Sequence, residues 1–122
     1  MNNKRLGTEF ERECANLLES EGYWVHFISP NGSGSQPFDI IASKNDKPIV
    51  LDCKTSAIRN FNISRLEENQ ILAMDRWLAK GNKKAFIFVK YKEKVYRIPY
   101  LMLKGAGKIN LDECECYANI SF

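Results

Sequence analysis

At 122 residues, 44% hydrophobic and 27% charged, the chain has the size and make-up of one globular domain rather than a disordered polypeptide. Its longest apolar runs, such as Ala85 to Val89, fall far short of the roughly 20 residues a spanning helix needs, and no secretion signal follows the basic N-terminus, so we expect a cytoplasmic protein with no membrane contact. Net charge is only +3, yet Lys80 to Lys108 carries nine basic residues against the single acid Glu93, while residues 1–79 hold nine bases and eleven acids.

In chain order, Gly7 to Glu21 reads as a helix, with Thr8 as a cap, Glu11 three residues on as in a capping box, and Phe10, Cys14, Leu17 and Leu18 at helical spacing. Gly22 ends it, Tyr23 to Ile28 alternates as a strand does, and Ser29 to Pro37 is a loop with almost nothing to bury. Phe38 to Ser43 and Pro48 to Lys54 are β-rich runs joined by Lys44-Asn45-Asp46-Lys47, a hairpin connection. Ser64 with Glu67 forms a second capping box, opening a helix through Leu66, Ile71, Met74, Trp77 and Leu78 that stops at Gly81. Lys84 to Tyr91 and Lys94 to Ile98 follow as strands, then a short helix at Tyr100 to Lys104 and a last strand near Cys116 to Ile120. The order α-β-β-β-α-β-β predicts an α/β fold, a mixed central β-sheet flanked by helices, in a single domain over residues 1–122.

The hairpin is the most informative element. Antiparallel partners keep a constant sum of residue numbers, and a turn centred on Asn45-Asp46 makes that sum 91. Asp39 and Asp52 also sum to 91, which predicts two carboxylates directly opposed on one face with β-carbons about 5 Å apart. Such a pair destabilises a sheet unless a hard divalent cation bridges it. Lys54 shares that face by strand periodicity, and two acids with an ammonium beside them suit phosphodiester hydrolysis. Asp-x-Lys by itself is common enough to occur about once in any chain of this length, so a surface ion pair is the competing account.

The context of that match resembles a family. Pro37-Phe38-Asp39 followed by Asp52-Cys53-Lys54 is similar to the PD-(D/E)xK nuclease signature, more narrowly to that of the archaeal-type Holliday junction resolvases and their phage and bacterial relatives. Gly7-Thr8-Glu9-Phe10-Glu11-Arg12 resembles the family's helix start, Ser33-Gly34-Ser35 its loop, Asp39-Ile40-Ile41-Ala42 its strand, and Arg97-Ile98-Pro99-Tyr100 its late segment. The resemblance implies a restriction-endonuclease-like core and Mg²⁺ (Mn²⁺ as alternative) held by Asp39, Asp52 and Glu11, with the Cys53 carbonyl as a backbone ligand. Glu11 as a mere cap, and Glu9 in its place, are the rival readings. Lys54 would assist the attacking water, Ser33 or Ser35 would approach the scissile phosphate, and Gln70 would touch the lysine or the water, against readings as spacer and solvated helix position. Two departures stand out: Phe38 separates Pro37 from Asp39, and Asp52 occupies a position more often glutamate.

The expectation is a DNA endonuclease acting on four-way junctions as a homodimer, whose Lys83, Lys84, Lys90, Lys92 and Arg97 contact phosphates. A nicking or restriction-type enzyme on duplex DNA, a catalytically inactive DNA-binding module of the same fold, and a generic α/β domain are the alternatives.

Overall fold

A computed structural model of the chain describes residues 3–28 and 37–119. The first helix, α1 (Asn3–Ser20), starts before the predicted capping box. Thr8 and Glu11 therefore lie inside the helix, and the reading of Glu11 as a cap is corrected: a capping residue must stand at the first turn. Phe10, Cys14, Ala15 and Leu18 form its buried stripe. No helix among the described residues is long and apolar enough to cross a membrane.

Strand β1 (Trp24–Phe27) pairs antiparallel with β2 (Ile40–Lys44), and β2 with β3 (Lys47–Thr55). The predicted register holds from Lys44↔Lys47 to Ile40↔Leu51. Asn45 and Asp46 have φ of 53° and 63°, the paired left-handed conformation that a two-residue turn needs to match strand twist. A short strand β4 (Asn60–Asn62) and a 3₁₀ turn (Ile63–Arg65) follow, the latter capped by Asn62, whose side chain accepts the Ser64 N–H at 2.9 Å. Helix α2 (Glu68–Ala79) thus begins later than predicted: Glu67 is its N-cap, and the capping box runs from Glu67 to Gln70 rather than from Ser64 to Glu67. The reason is that Asn62 already serves the Ser64 turn, so the chain re-enters helix only after Leu66 is buried.

Strand β5 (Ala85–Tyr91) lies parallel to β3 and antiparallel to β6 (Lys94–Pro99), which leads into α3 (Tyr100–Ala106). The β5–β6 turn places Lys92 and Glu93 at φ of 51° and 61° without glycine or asparagine, a local cost imposed by the six residue pairs it joins. Strands β7 (Lys108–Asn110) and β8 (Ala118–Asn119) complete two sheets, a six-stranded one in the order β1-β2-β3-β5-β6-β8 and a two-stranded one of β4 and β7. The smaller sheet was not anticipated, because three-residue strands carry no readable period.

The large sheet separates two cores. On one face Ile40, Ala42, Ile49, Leu51 and Cys53 meet the stripe of α1. On the other, Val50, Ile87 and Val89 pack with Phe61, Met74, Tyr100 and Leu103 beneath α2 and α3. Tyr100 is held from α2 as well, its hydroxyl donating to Asp75 Oδ1 at 2.8 Å.

Candidate active site

The site forms where β2 stops and β3 runs on. Strict continuation of the ladder would oppose Asp39 to Asp52, but pairing ends at Ile40, and the Asp39 N–H donates to the Leu51 carbonyl at 3.1 Å, as at a β-bulge. The expected direct pair is corrected accordingly. The Asp39 carboxylate takes over the lost ladder bond, its Oδ2 accepting the Cys53 N–H at 2.7 Å. Phe38, packed edge-on against Trp77 with ring centroids 6.1 Å apart, anchors this corner.

Asp52 sits on the Val50 face of β3 and is 0% exposed, with no hydrogen-bond partner for either carboxylate oxygen. Burial is the main reason its pKa rises to about 8; the Asp39 and Glu11 charges add to it, while Lys54 and the approach of the Asp39 N–H, whose main bond is to the Leu51 carbonyl, oppose it. Glu11, from α1, is raised to about 7 by burial and then by Asp39, again opposed by Lys54. Asp39 is raised by burial, against the Cys53 N–H and Lys54; Glu67 pushes the same way as burial. All four predicted catalytic groups, Glu11, Asp39, Asp52 and Lys54, thus fall within electrostatic reach of one another, brought together from α1, the start of β2 and the end of β3.

These residues fit a divalent cation. A fully buried carboxyl with no hydrogen bond of ordinary geometry to either oxygen carries, once ionised, an electrostatic cost that a hard cation removes, and the neighbouring groups offer oxygens, as such ions prefer. Among the described residues no three His, Cys, Asp or Glu side chains already stand in closed ligand geometry. The Cys53 thiol is buried on the α1 face, where burial and then the Cys14 thiol push its pKa well up, so only its backbone could face a cation. The Val50 and Ser56 N–H groups bond the carbonyls of Lys84, just before β5, and Lys90, on it, so the alternating pleat turns the Cys53 peptide toward Asp39, in keeping with its N–H bond. Glu67 was missed as a neighbour of the site, because the helix start was read three residues early.

The remaining predicted contacts are dispersed. Gln70 is 7% exposed and its Oε1 accepts the Glu67 N–H at 2.9 Å, so it fixes the start of α2. Lys90 lies 3.3 Å from Glu13, an ion pair tying β5 to α1. The Arg97 guanidinium lies over the rings of Tyr117 (4.5 Å) and Phe86 (5.2 Å), and Lys92 is exposed at the β5–β6 turn with its ammonium over Tyr91. Lys83 and Lys84 stand exposed at the opposite end of β5 from the site. Ser33 and Ser35 lie outside the described residues.

Compared with known proteins, residues 2–116 match the family model described as archaeal Holliday junction resolvase (Hjc). The crossover junction endodeoxyribonuclease Hjc of Methanocaldococcus jannaschii is 27% identical over 110 residues, covering 89% of this chain and 77% of that protein. The crossover junction endodeoxyribonuclease Hje of Sulfolobus acidocaldarius is 28% identical over 94 residues, 75% of this chain and 66% of the relative. Among solved structures, Archaeoglobus fulgidus Hjc, a Holliday junction resolvase, shares the fold with a TM-score of 0.66 over 85% of this chain and 86% of its own, at 19% identity.

Proposed function

Because the chain belongs to the archaeal Holliday junction resolvase family, we propose that it is a Mg²⁺-dependent endodeoxyribonuclease that cuts four-way DNA junctions, with Asp52, Asp39 and Glu11 as the cation-holding carboxylates. The observation that carries the site assignment is Asp52, fully buried with both oxygens lacking a partner, in reach of a second acid and a lysine. When bound, a divalent cation supplies Lewis acidity and a water of lowered pKa.

The chain's own residues do the rest. Asp39 is held by the Cys53 N–H through Oδ2, which leaves Oδ1 as the oxygen it could offer to a cation. Asp52 and Glu11 supply negative charge from opposite layers of the fold, and the Cys53 carbonyl adds a neutral oxygen. Lys54 offsets their mutual repulsion in the resting protein and, with DNA present, donates to the attacking oxygen or to the phosphoryl oxygens as charge builds on them. Lys83, Lys84, Lys92 and Arg97 contribute sequence-independent phosphate attraction, whereas the Lys90 charge is offset by Glu13.

Cleavage of labelled four-way junction, nicked duplex, linear duplex and single strand in Mg²⁺ tests this reading. Symmetric nicks confined to the junction, and lost with EDTA, are the expected result. Cutting of linear duplex would instead make it a nicking or restriction-type enzyme, and binding without cutting would make it a DNA-binding module. A junction has two strands to cut, so a C2 homodimer presenting two sites matches its symmetry. Sedimentation velocity is expected to show two chains per junction; one chain per junction would overturn the dimer.

A further inference from the structure

The face of the sheet that carries Asp52 also carries an aromatic pair with no role in the core. Trp24 is 64% exposed on the edge strand β1, and its ring stacks on that of the exposed His26, with centroids 6.2 Å apart and planes within 9°. Directly cross-strand residues share a face. His26 pairs with Ile41 and that with Val50, while Trp24 pairs with Ser43 and that with Pro48. Val50 and Pro48 alternate with Asp52 along β3, so both rings lie on the catalytic face, Trp24 at a level four residues, or roughly 13 Å, along β3 from Asp52.

Pro48 continues that row into a groove of about 500 Å³, whose rim brings Lys47, Lys83 and Lys84 together against the single acid Asp46. The groove wall is fixed from behind: the Trp77 indole N–H and the Val50 N–H both donate to the Lys84 carbonyl, at 3.1 and 3.4 Å, and Asn82 donates to the Trp77 carbonyl at 3.1 Å. An exposed π-face beside a rigid, cation-rich groove is the combination by which proteins hold unpaired nucleotides, with rings taking bases and ammonium groups taking phosphates. The charge balance excludes a basic partner, and continuity with the face that bears the carboxylates favours nucleic acid over an acidic peptide.

We propose that Trp24, His26 and the Lys47, Lys83 and Lys84 groove form a second nucleic-acid contact, which stacks an unpaired base and holds its flanking phosphates at the end of the sheet remote from Asp52. The inference rests on the reading of the chain as a junction nuclease, since opening of base pairs next to a branch point would supply such bases. It also gives the phosphate attraction of Lys83 and Lys84 a place to act despite their distance from the site.

Fluorescence and anisotropy titrations of the full chain in EDTA with a short single-stranded oligothymidylate, and with a duplex of equal length, provide the test. Single strand is expected to quench tryptophan emission. Trp24→Phe keeps its affinity within about twofold but loses most of the quench, which separates Trp24 from Trp77, and Trp24→Ala binds the single strand on the order of tenfold more weakly with duplex binding unchanged. Lys83→Gln with Lys84→Gln lowers the salt slope by roughly 1.4, two phosphates at about 0.7 each. Unchanged single-strand affinity in Trp24→Ala, with circular dichroism like that of the parent, would overturn the proposal. If the parent cuts junctions and Trp24→Ala binds as it does, this contact alone is wrong; if the variant weakens binding and the parent cuts no junction, the contact stands and the nuclease reading falls.

Discussion

Asp52→Asn is expected to lower junction cleavage by about 10³-fold or more while making the metal-free protein more stable at pH 8. The two effects have one cause. Asp52 is buried with no hydrogen bond of ordinary geometry to either oxygen, and the one N–H that approaches it, from Asp39, is already bonded to the Leu51 carbonyl, so its charge destabilises the fold unless a cation answers it. Asparagine keeps the shape and removes the charge, so the metal-free fold recovers roughly 2–4 kcal/mol, less than the full charge-burial cost because the amide still lacks partners. Removing an anionic ligand also forfeits roughly 4 kcal/mol of transition-state stabilisation. Urea unfolding in EDTA and single-turnover cleavage in Mg²⁺ measure the two separately. A variant that is less stable than its parent in EDTA at pH 8 would show that Asp52 is a structural acid with a partner. Lys54→Met provides the complement: cleavage is expected to fall comparably while Mg²⁺ still raises the midpoint of unfolding, since the lysine acts on the reacting groups rather than holding the cation.

In EDTA the parent protein is expected to lose stability steadily as pH rises from about 4 to 8, the reverse of ordinary carboxylate behaviour. Asp52 rises from 3.8 to about 8 and Glu11 from 4.5 to about 7 on folding, and Asp39 rises too, so in this window the native state binds more protons than the unfolded chain. Stability then falls with pH, and is fully present only below the unfolded pKa values near 4. At about 1.4 kcal/mol per unit, Asp52 alone sets a ceiling on the order of 5 kcal/mol, and the three acids titrate as a coupled set rather than singly. Mg²⁺ opposes the loss because it binds the deprotonated site, so its stabilising effect is expected to be large at pH 8 and nearly absent at pH 5. Thermal unfolding at both pH values, with Mg²⁺ and with EDTA, checks this. A Mg²⁺ effect independent of pH would mean that the cation binds elsewhere.

Several elements could be read from local chemistry alone. The turn at Asn45-Asp46 takes two residues that tolerate positive φ, and it set the register of β2 against β3 as far as Ile40↔Leu51. Period-2 spacing put Asp52 and Lys54 on one face, and helical spacing found the buried stripe Phe10, Cys14 and Leu18. The start of α2 was misread because two capping sequences overlap: Ser64 and Glu67 satisfy the same pattern as Glu67 and Gln70, and only the Asn62 cap on the intervening turn separates them.

What the sequence by itself determined is the pair of strands, the acids and the lysine on them, and the helix that carries Glu11, because turn chemistry and side-chain periodicity act over two to eight residues. Only the tertiary structure decided that Asp39 leaves the ladder to bond the Cys53 N–H, that Glu11 and Glu67 approach from separate helices, and that the lysines of one basic segment divide between the Glu13 ion pair and a groove at the far end of the sheet. Those outcomes depend on where β3 and β5, 35 residues apart, come to lie side by side, and on which buried N–H groups lack a carbonyl once β2 stops. Such long-range pairing is settled by burial and hydrogen-bond satisfaction across the whole sheet, and no window of neighbouring residues contains it.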